Sequence, residues 1–265
     1  MLQPLDADAD LERRFGGLRR LYGAVGYEAV RAARIAVVGL GGVGAWAVEA
    51  LARSGVARLV LIDLDHVAES NINRQIQALG STLGMAKAEA LRQRIADIHP
   101  GCEVLCVEEF ASADNWPQLL PAPVDLLIDA CDQGAAKLAL AAWALQTGTP
   151  LVCVGAAGGK VQPQAVELAD LSEVTHDPLL ASLRQRLRKQ GASLTGRQAR
   201  IGVRCVFSRE AVAAPVNDDG CATDGTLNCA GYGSTVTVTA TFGLVAAGEA
   251  LRLVRNDAYW GERPA

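Results

Sequence analysis

Hydrophobic and polar positions follow two alternating rhythms over the first 160 residues. Short aliphatic runs at 35–39 (IAVVG), 58–63 (RLVLID), 103–110 (EVLCVEEF), 125–130 (DLLIDA) and 150–159 (PLVCVGAAGG) have the length and composition of buried strands. Between them, 43–55, 84–100 and 133–148 carry apolar residues at helical spacing, closed by Gly55, Pro100 and Gly148. Strands separated by helices of this length pair in parallel through right-handed crossovers. The pattern therefore predicts an α/β fold with an open, doubly wound, mostly parallel sheet.

From residue 160 the rhythm loosens. KVQPQAVELADL reads as an extended meander, and Asp177-Pro178 is a helix start with the acid at the N-cap and proline in the first turn. The helix that follows places Leu179, Leu180, Leu183 and Leu187 on one face. A strand at 199–208 and a polar, glycine-rich loop at 215–234 lead to a last helix at 236–254. That helix is apolar enough for a membrane span, yet it carries Glu249 and Arg252, so a buried core helix is the better reading. No internal repeat interrupts the chain, and one continuous domain with an elaborated C-terminal third is expected.

Composition narrows this only slightly. The 265 residues are 50% hydrophobic and 20% charged, the balance of a folded domain and not of a disordered chain. A formal charge of −4 makes the whole molecule no magnet for nucleic acid. The acidic stretch 1–12 lacks the apolar core of a signal peptide. Seven cysteines at irregular spacing, without a Cys-x-x-Cys pair, fit a reducing cytoplasm and offer no zinc ribbon. Cys102, Cys106 and Cys131 read as small core residues. The three histidines form no constellation.

The chemistry gathers after the first strands. Gly39, Gly41 and Gly44, with Gly42 between them, fit G-x-G-x-x-G at a strand-to-helix turn, where backbone amides can approach phosphates. Asp63 ends the next strand nineteen residues beyond Gly44, with Asp65 beside it, in place to accept ribose hydroxyls. This much does not separate NAD, FAD and ATP. The stretch after Asp63 does, since Asn71, Asn73 and Arg74, followed by Lys87, offer amides and cations suited to a triphosphate. Asp132, past the strand at 125–130, could bind Mg²⁺. Singly, Arg74 and Lys87 read equally well as solvated charges, and Asp132 as a helix N-cap.

GLGGVG, LIDLD, NINRQ, GMAKAEA and DACD, in that order and spacing over residues 12–155, resemble the adenylating enzymes related to ubiquitin-activating enzyme. That resemblance implies a Rossmann-like fold that binds ATP and Mg²⁺, transfers AMP to a substrate carboxylate and expels pyrophosphate. It implies Asp63 on the ribose, Asn73, Arg74 and Lys87 on the phosphates, Asp132 on the metal, and Arg14 or Arg20 reaching a partner subunit's site. RFGG..RLYG, VRCVFSRE and NCAGYGSTVTVTATFG are similar to the tRNA threonylcarbamoyladenosine dehydratases, which implies a tRNA substrate, a homodimer and a monovalent cation (K⁺ or Na⁺) that no residue here locates. A cysteine desulfurase or sulfur-acceptor system could accompany it. On this reading 1–12 and 256–265 are tails, and 13–255 is one domain with its ATP-binding part at about 30–160 and its substrate part at about 160–255.

Cys229, in the loop before the last helix, is a thioester-forming nucleophile, a site-shaping residue or an incidental thiol. Arg184, Arg186, Arg188, Lys189, Arg197 and Arg200 make an acid-free basic stretch suited to RNA phosphates, or else a solvated helix face. Activation of a ubiquitin-like sulfur carrier's C-terminal glycine is the rival activity, and NAD-dependent oxidoreduction a more distant one.

Overall fold

A computed structural model describes residues 9–191, 200–213 and 232–256. Its centre is one seven-stranded sheet in the order β3-β2-β1-β4-β5-β7-β6. The strands are β1 (Arg34–Val38), β2 (Arg58–Ile62), β3 (Glu103–Val107), β4 (Leu126–Asp129), β5 (Leu151–Val154), β6 (Val166–Asp170) and β7 (Arg204–Ser208). All neighbours run parallel except β6 and β7. The doubly wound α/β sheet expected from the sequence is present, and the meander after 160 supplies its antiparallel edge.

Among the described residues there are seven α-helices: α1 (Leu11–Phe15), α2 (Gly17–Ala32), α3 (Gly44–Arg53), α4 (Lys87–Ile98), α5 (Gly134–Thr147), α6 (Pro178–Lys189) and α7 (Val236–Val254). Successive residues of a strand face opposite sides, so β1 divides its side chains between two cores. Ile35 and Val37 join α3, α4 and α7 on one face, while Ala36 and Val38 join α5 and α6 on the other. At α6, the Asp177 carboxylate accepts the Leu180 N–H at 2.9 Å, as the Asp-Pro start implied.

Helix α7 is long and apolar enough to cross a membrane, and is the one such helix among the described residues. Its packing makes it a core element. A Cβ on Gly243 would stand 2.4 Å from the Val43 carbonyl and 2.8 Å from Trp46 Cβ, so α3 and α7 touch almost backbone to backbone. Glu249, 2% exposed, is held by Arg204 and Arg252 at 2.8 Å each. A buried carboxylate between two guanidiniums suits a protein interior and not a lipid-facing helix.

Candidate active site

Strand order reverses between β1 and β4, and a doubly wound sheet opens a crevice at such a point beyond the carboxyl ends of its strands. Here it is a cavity of about 330 Å³. Gly39 (φ +86°) turns the chain out of β1 where a Cβ would stand 2.8 Å from the Cys131 N, so only glycine lets the two loops abut. Gly44 starts α3 with its would-be Cβ 1.8 Å from the Gly39 carbonyl oxygen. Gly41 differs. A Cβ there meets no protein atom within 4 Å, and the residue lines the cavity, so its missing side chain leaves room that protein does not fill. A cradle of this form suits a phosphate chain at a helix N-terminus.

The acids and cations come from separate loops. Asp63, 8% exposed, accepts the N–H groups of Leu40 at 2.6 Å and Asp65 at 2.8 Å. Burial raises its carboxyl above the ordinary range, against the opposing charge of Lys87. Lys87 opens α4 and is returned to the cavity because 65–67 and 84–87 pair: Val67 donates to the Met85 carbonyl and Lys87 N–H to that of Asp65. Its ammonium binds the Asp65 carboxylate at 2.6 Å. The stem of Arg74 passes over Gly42, where a Cβ would press on Arg74 Cγ at 3.1 Å. Its guanidinium donates to the Ser70 carbonyl and to Asn73 Oδ1. Partial burial lowers its affinity for the proton.

Gly39, Gly41, Gly42, Asp63, Asp65, Arg74, Lys87 and Asp132 all line this one cavity. Gly44 stands behind it as a packing requirement. Asn71 and Asn73 are not among the lining residues. Asn71 Oδ1 accepts the Ala68 N–H and closes a turn, and Asn73 spans from Arg74 to the Ser234 carbonyl. Arg14 lies elsewhere in its own chain, its guanidinium donating to the Asp97 and Ile98 carbonyls at the end of α4, and Arg20 is exposed on α2. Cys229 and Arg197 fall outside the described residues. On α6, Arg184 is tied to the Leu171 and Val174 carbonyls, while Arg186, Arg188 and Lys189 are exposed in the last turn; Arg200 begins the segment after 199.

Several lining residues were not among those expected to bind the nucleotide. Phe110, 46% exposed, and Glu109 line the cavity beyond β3; Tyr232 lines it beside the 158–159 turn and Thr239 beside Gly42. Beneath it lies a fully buried pair, Lys137 and Asp129, 3.1 Å apart and both without exposed surface. Asp129 also accepts the Cys131 thiol at 2.9 Å and the Cys153 thiol at 3.3 Å, pinning the loop that carries Asp132. Burial favours the neutral Lys137 amine, but the Asp129 charge outweighs it and the pKa rises. One signal was available: a lone lysine in the first turn of an otherwise apolar helix opposes the helix dipole and needs a counter-charge.

As for a metal, no group of three or more candidate ligands occurs among the described residues. Magnesium does not require one, since one or two carboxylates together with substrate phosphates commonly hold it. Asp132, on the loop that abuts the Gly39 turn and in the wall of the cavity, fits that use.

Fold and site thus define a nucleotide-binding protein of the doubly wound α/β class. The ThiF family model matches residues 15–263, and the chain belongs to that family. It is 43% identical over 248 residues to the tRNA threonylcarbamoyladenosine dehydratase of Escherichia coli (strain K12), covering 91% of this chain and 92% of that protein. To the dehydratase of Bacillus subtilis (strain 168) it is 39% identical, covering 71% of each. The crystal structure of the E. coli enzyme in complex with ATP superposes with a TM-score of 0.84 at 40% identity, covering 96% of this chain and 98% of that one; a second crystal structure of that enzyme contains AMP.

Proposed function

We propose that this cavity binds ATP and uses it to dehydrate the threonylcarbamoyladenosine beside a tRNA anticodon. The observation that carries the reading is the convergence of the glycine cradle, a buried ribose acid, two cations and Asp132 on one crevice, in a chain so similar to dehydratases solved with ATP and AMP. A carboxylate oxygen of the threonylcarbamoyl group attacks the α-phosphorus, and the bond to the β-phosphate oxygen breaks to release pyrophosphate. A nitrogen or oxygen of the same carbamoyl unit then attacks the activated carbonyl and loses its proton. AMP leaves with the former carboxylate oxygen, so the base closes into a ring lighter by one water.

Asp63 holds the ribose, Gly41 and its neighbours receive the phosphates through backbone amides, and Lys87 and Arg74 neutralise charge that moves onto pyrophosphate. Asp132 would hold magnesium, which offsets triphosphate charge. The protein's contribution is position and charge, since no general base is needed to make a carboxylate nucleophilic. Incubating protein, ATP, magnesium and modified tRNA should give AMP, pyrophosphate and the lighter nucleoside in equal amounts. Formation of ADP overturns the reading.

The basic end of α6 serves the tRNA backbone. The Arg186 guanidinium lies 3.8 Å from where a Cβ would sit on Gly134, so this end of α6 lies beside the start of α5 and the cavity rim. The enzyme works as a homodimer, supported by Leu21 (71% exposed) and Val25 (87% exposed) on one stretch of α2. Sedimentation would test that state.

A further inference from the structure

Among the described residues, two aromatic side chains line the cavity, and they stand at opposite ends of it. Phe110 follows β3, next to the β2 end that carries Asp63. Tyr232 packs against the 158–159 turn that follows β5. β3 and β5 are four strand spacings apart in the sheet, about 19 Å at roughly 4.8 Å per step. With its ribose on Asp63, a nucleotide lays its base toward Phe110 and its phosphates over the glycine turn. It leaves the β5 end open. Among the described residues, the lining there consists of the 155–158 turn, Pro178, Leu179, Val212 and Tyr232, with no charged side chain. Such a surface offers a phosphate chain no counter-charge and suits the flat face of a base.

The seat for the tyrosine is built from the backbone. A Cβ on Gly159 would meet Tyr232 Cδ1 at 3.3 Å and Val212 Cγ1 at 2.7 Å, and Gly159 has φ +70°. Its N–H donates to the Gly233 carbonyl at 2.9 Å, and its carbonyl accepts the Ala213 N–H at 2.8 Å. The turn thus clamps the residue just after Tyr232, holding the ring between itself and the cavity. We propose that Tyr232 is the platform on which the modified purine of the tRNA stacks, and hence a specificity-determining residue for the RNA substrate. Stacking there leaves the threonylcarbamoyl arm to extend from the β5 end toward the α-phosphate above β1 and β4. The inference rests on the dehydratase reading of the site.

The test measures steady-state turnover against modified tRNA at saturating ATP, and ATP affinity by calorimetry, for wild type, Tyr232→Phe, Tyr232→Leu and Tyr232→Ala. Melting temperatures confirm folding, and the leucine variant carries the test if alanine unfolds. Loss of one base–aromatic stack should raise KM for tRNA by about 10- to 100-fold in Tyr232→Leu. Tyr232→Phe should stay within about threefold, and ATP affinity within about twofold, of wild type. An unchanged tRNA KM in Tyr232→Leu overturns the platform while wild-type turnover leaves the dehydratase reading intact. A parallel loss of ATP affinity also overturns it, because the ring then belongs to the nucleotide. Wild-type protein that makes AMP with no cyclised tRNA sinks both.

Discussion

Gly41 and Gly44 differ by three positions and by the reason each must be glycine. At Gly44 the obstacle is the protein's own backbone, 1.8 Å from any added Cβ, so Gly44→Ala should shift the β1–α3 turn and lower the melting temperature sharply. At Gly41 no protein atom opposes a side chain. Gly41→Ala should therefore melt like wild type yet bind ATP at least about tenfold more weakly, a loss of about 1.4 kcal/mol readable by calorimetry. Equal effects of both on stability would mean the cradle is only a turn. On the proposed binding mode, Lys87→Met removes a charge-assisted contact to phosphate and should weaken ATP by about 10- to 100-fold. The motif showed that these residues belong together. It could not show that Asn71 and Asn73 are engaged by other protein groups and are not among the lining residues, because their partners, the Ala68 amide and the Ser234 carbonyl, depend on local turn closure and on a chain segment 161 residues away.

Elements were legible in proportion to their periodicity. Strands β1 to β5 and helices α3 to α7 stood out because burial imposes a regular spacing on them. α1 and α2 did not, since RFGGLRRLYG has glycine at three places and α2 itself breaks at Gly23 (φ +71°). The α3–α7 contact was equally hidden: it depends on Gly243, which looks unremarkable inside an apolar helix. Gly243→Ala should cost about 1–3 kcal/mol in urea unfolding by forcing the helices apart. At α6 the Arg186→Glu and Arg188→Glu pair should weaken tRNA binding and reduce its salt slope by about 2, with ATP affinity unaffected.

At the scale of the whole molecule, one titration links the N-terminal helices to acid stability. His99 lies against Phe15 with ring centroids 4.8 Å apart and within 3.0 Å of Arg31. Burial first, then the Arg31 and Arg14 charges, depress its pKa to about 4. The unfolded chain takes up this proton near pH 6.5 and the native state resists until about pH 4, so stability is full above 6.5 and falls through that window. The group's slope approaches about 1.4 kcal/mol per pH unit. His99→Gln should flatten the dependence in urea unfolding at pH 7, 6 and 5. The doubly wound sheet, and hence where its crevice opens, was readable from strand–helix alternation alone. The segment of β6 read only as an extended meander, and its antiparallel pairing with β7 was not legible, since an edge strand with a half-buried pattern carries no sign of its direction.

If Lys87 receives phosphate as proposed, its short ion pair with Asp65 makes ligand arrival an exchange of counter-ions. A polyphosphate gains the ammonium only by displacing a carboxylate 2.6 Å away, and an incoming anion of lower charge displaces it less well. Asp65 thereby favours eviction of the spent monophosphate after turnover. In Asp65→Asn, inhibition by AMP should deepen and single-turnover ring closure should outrun product escape.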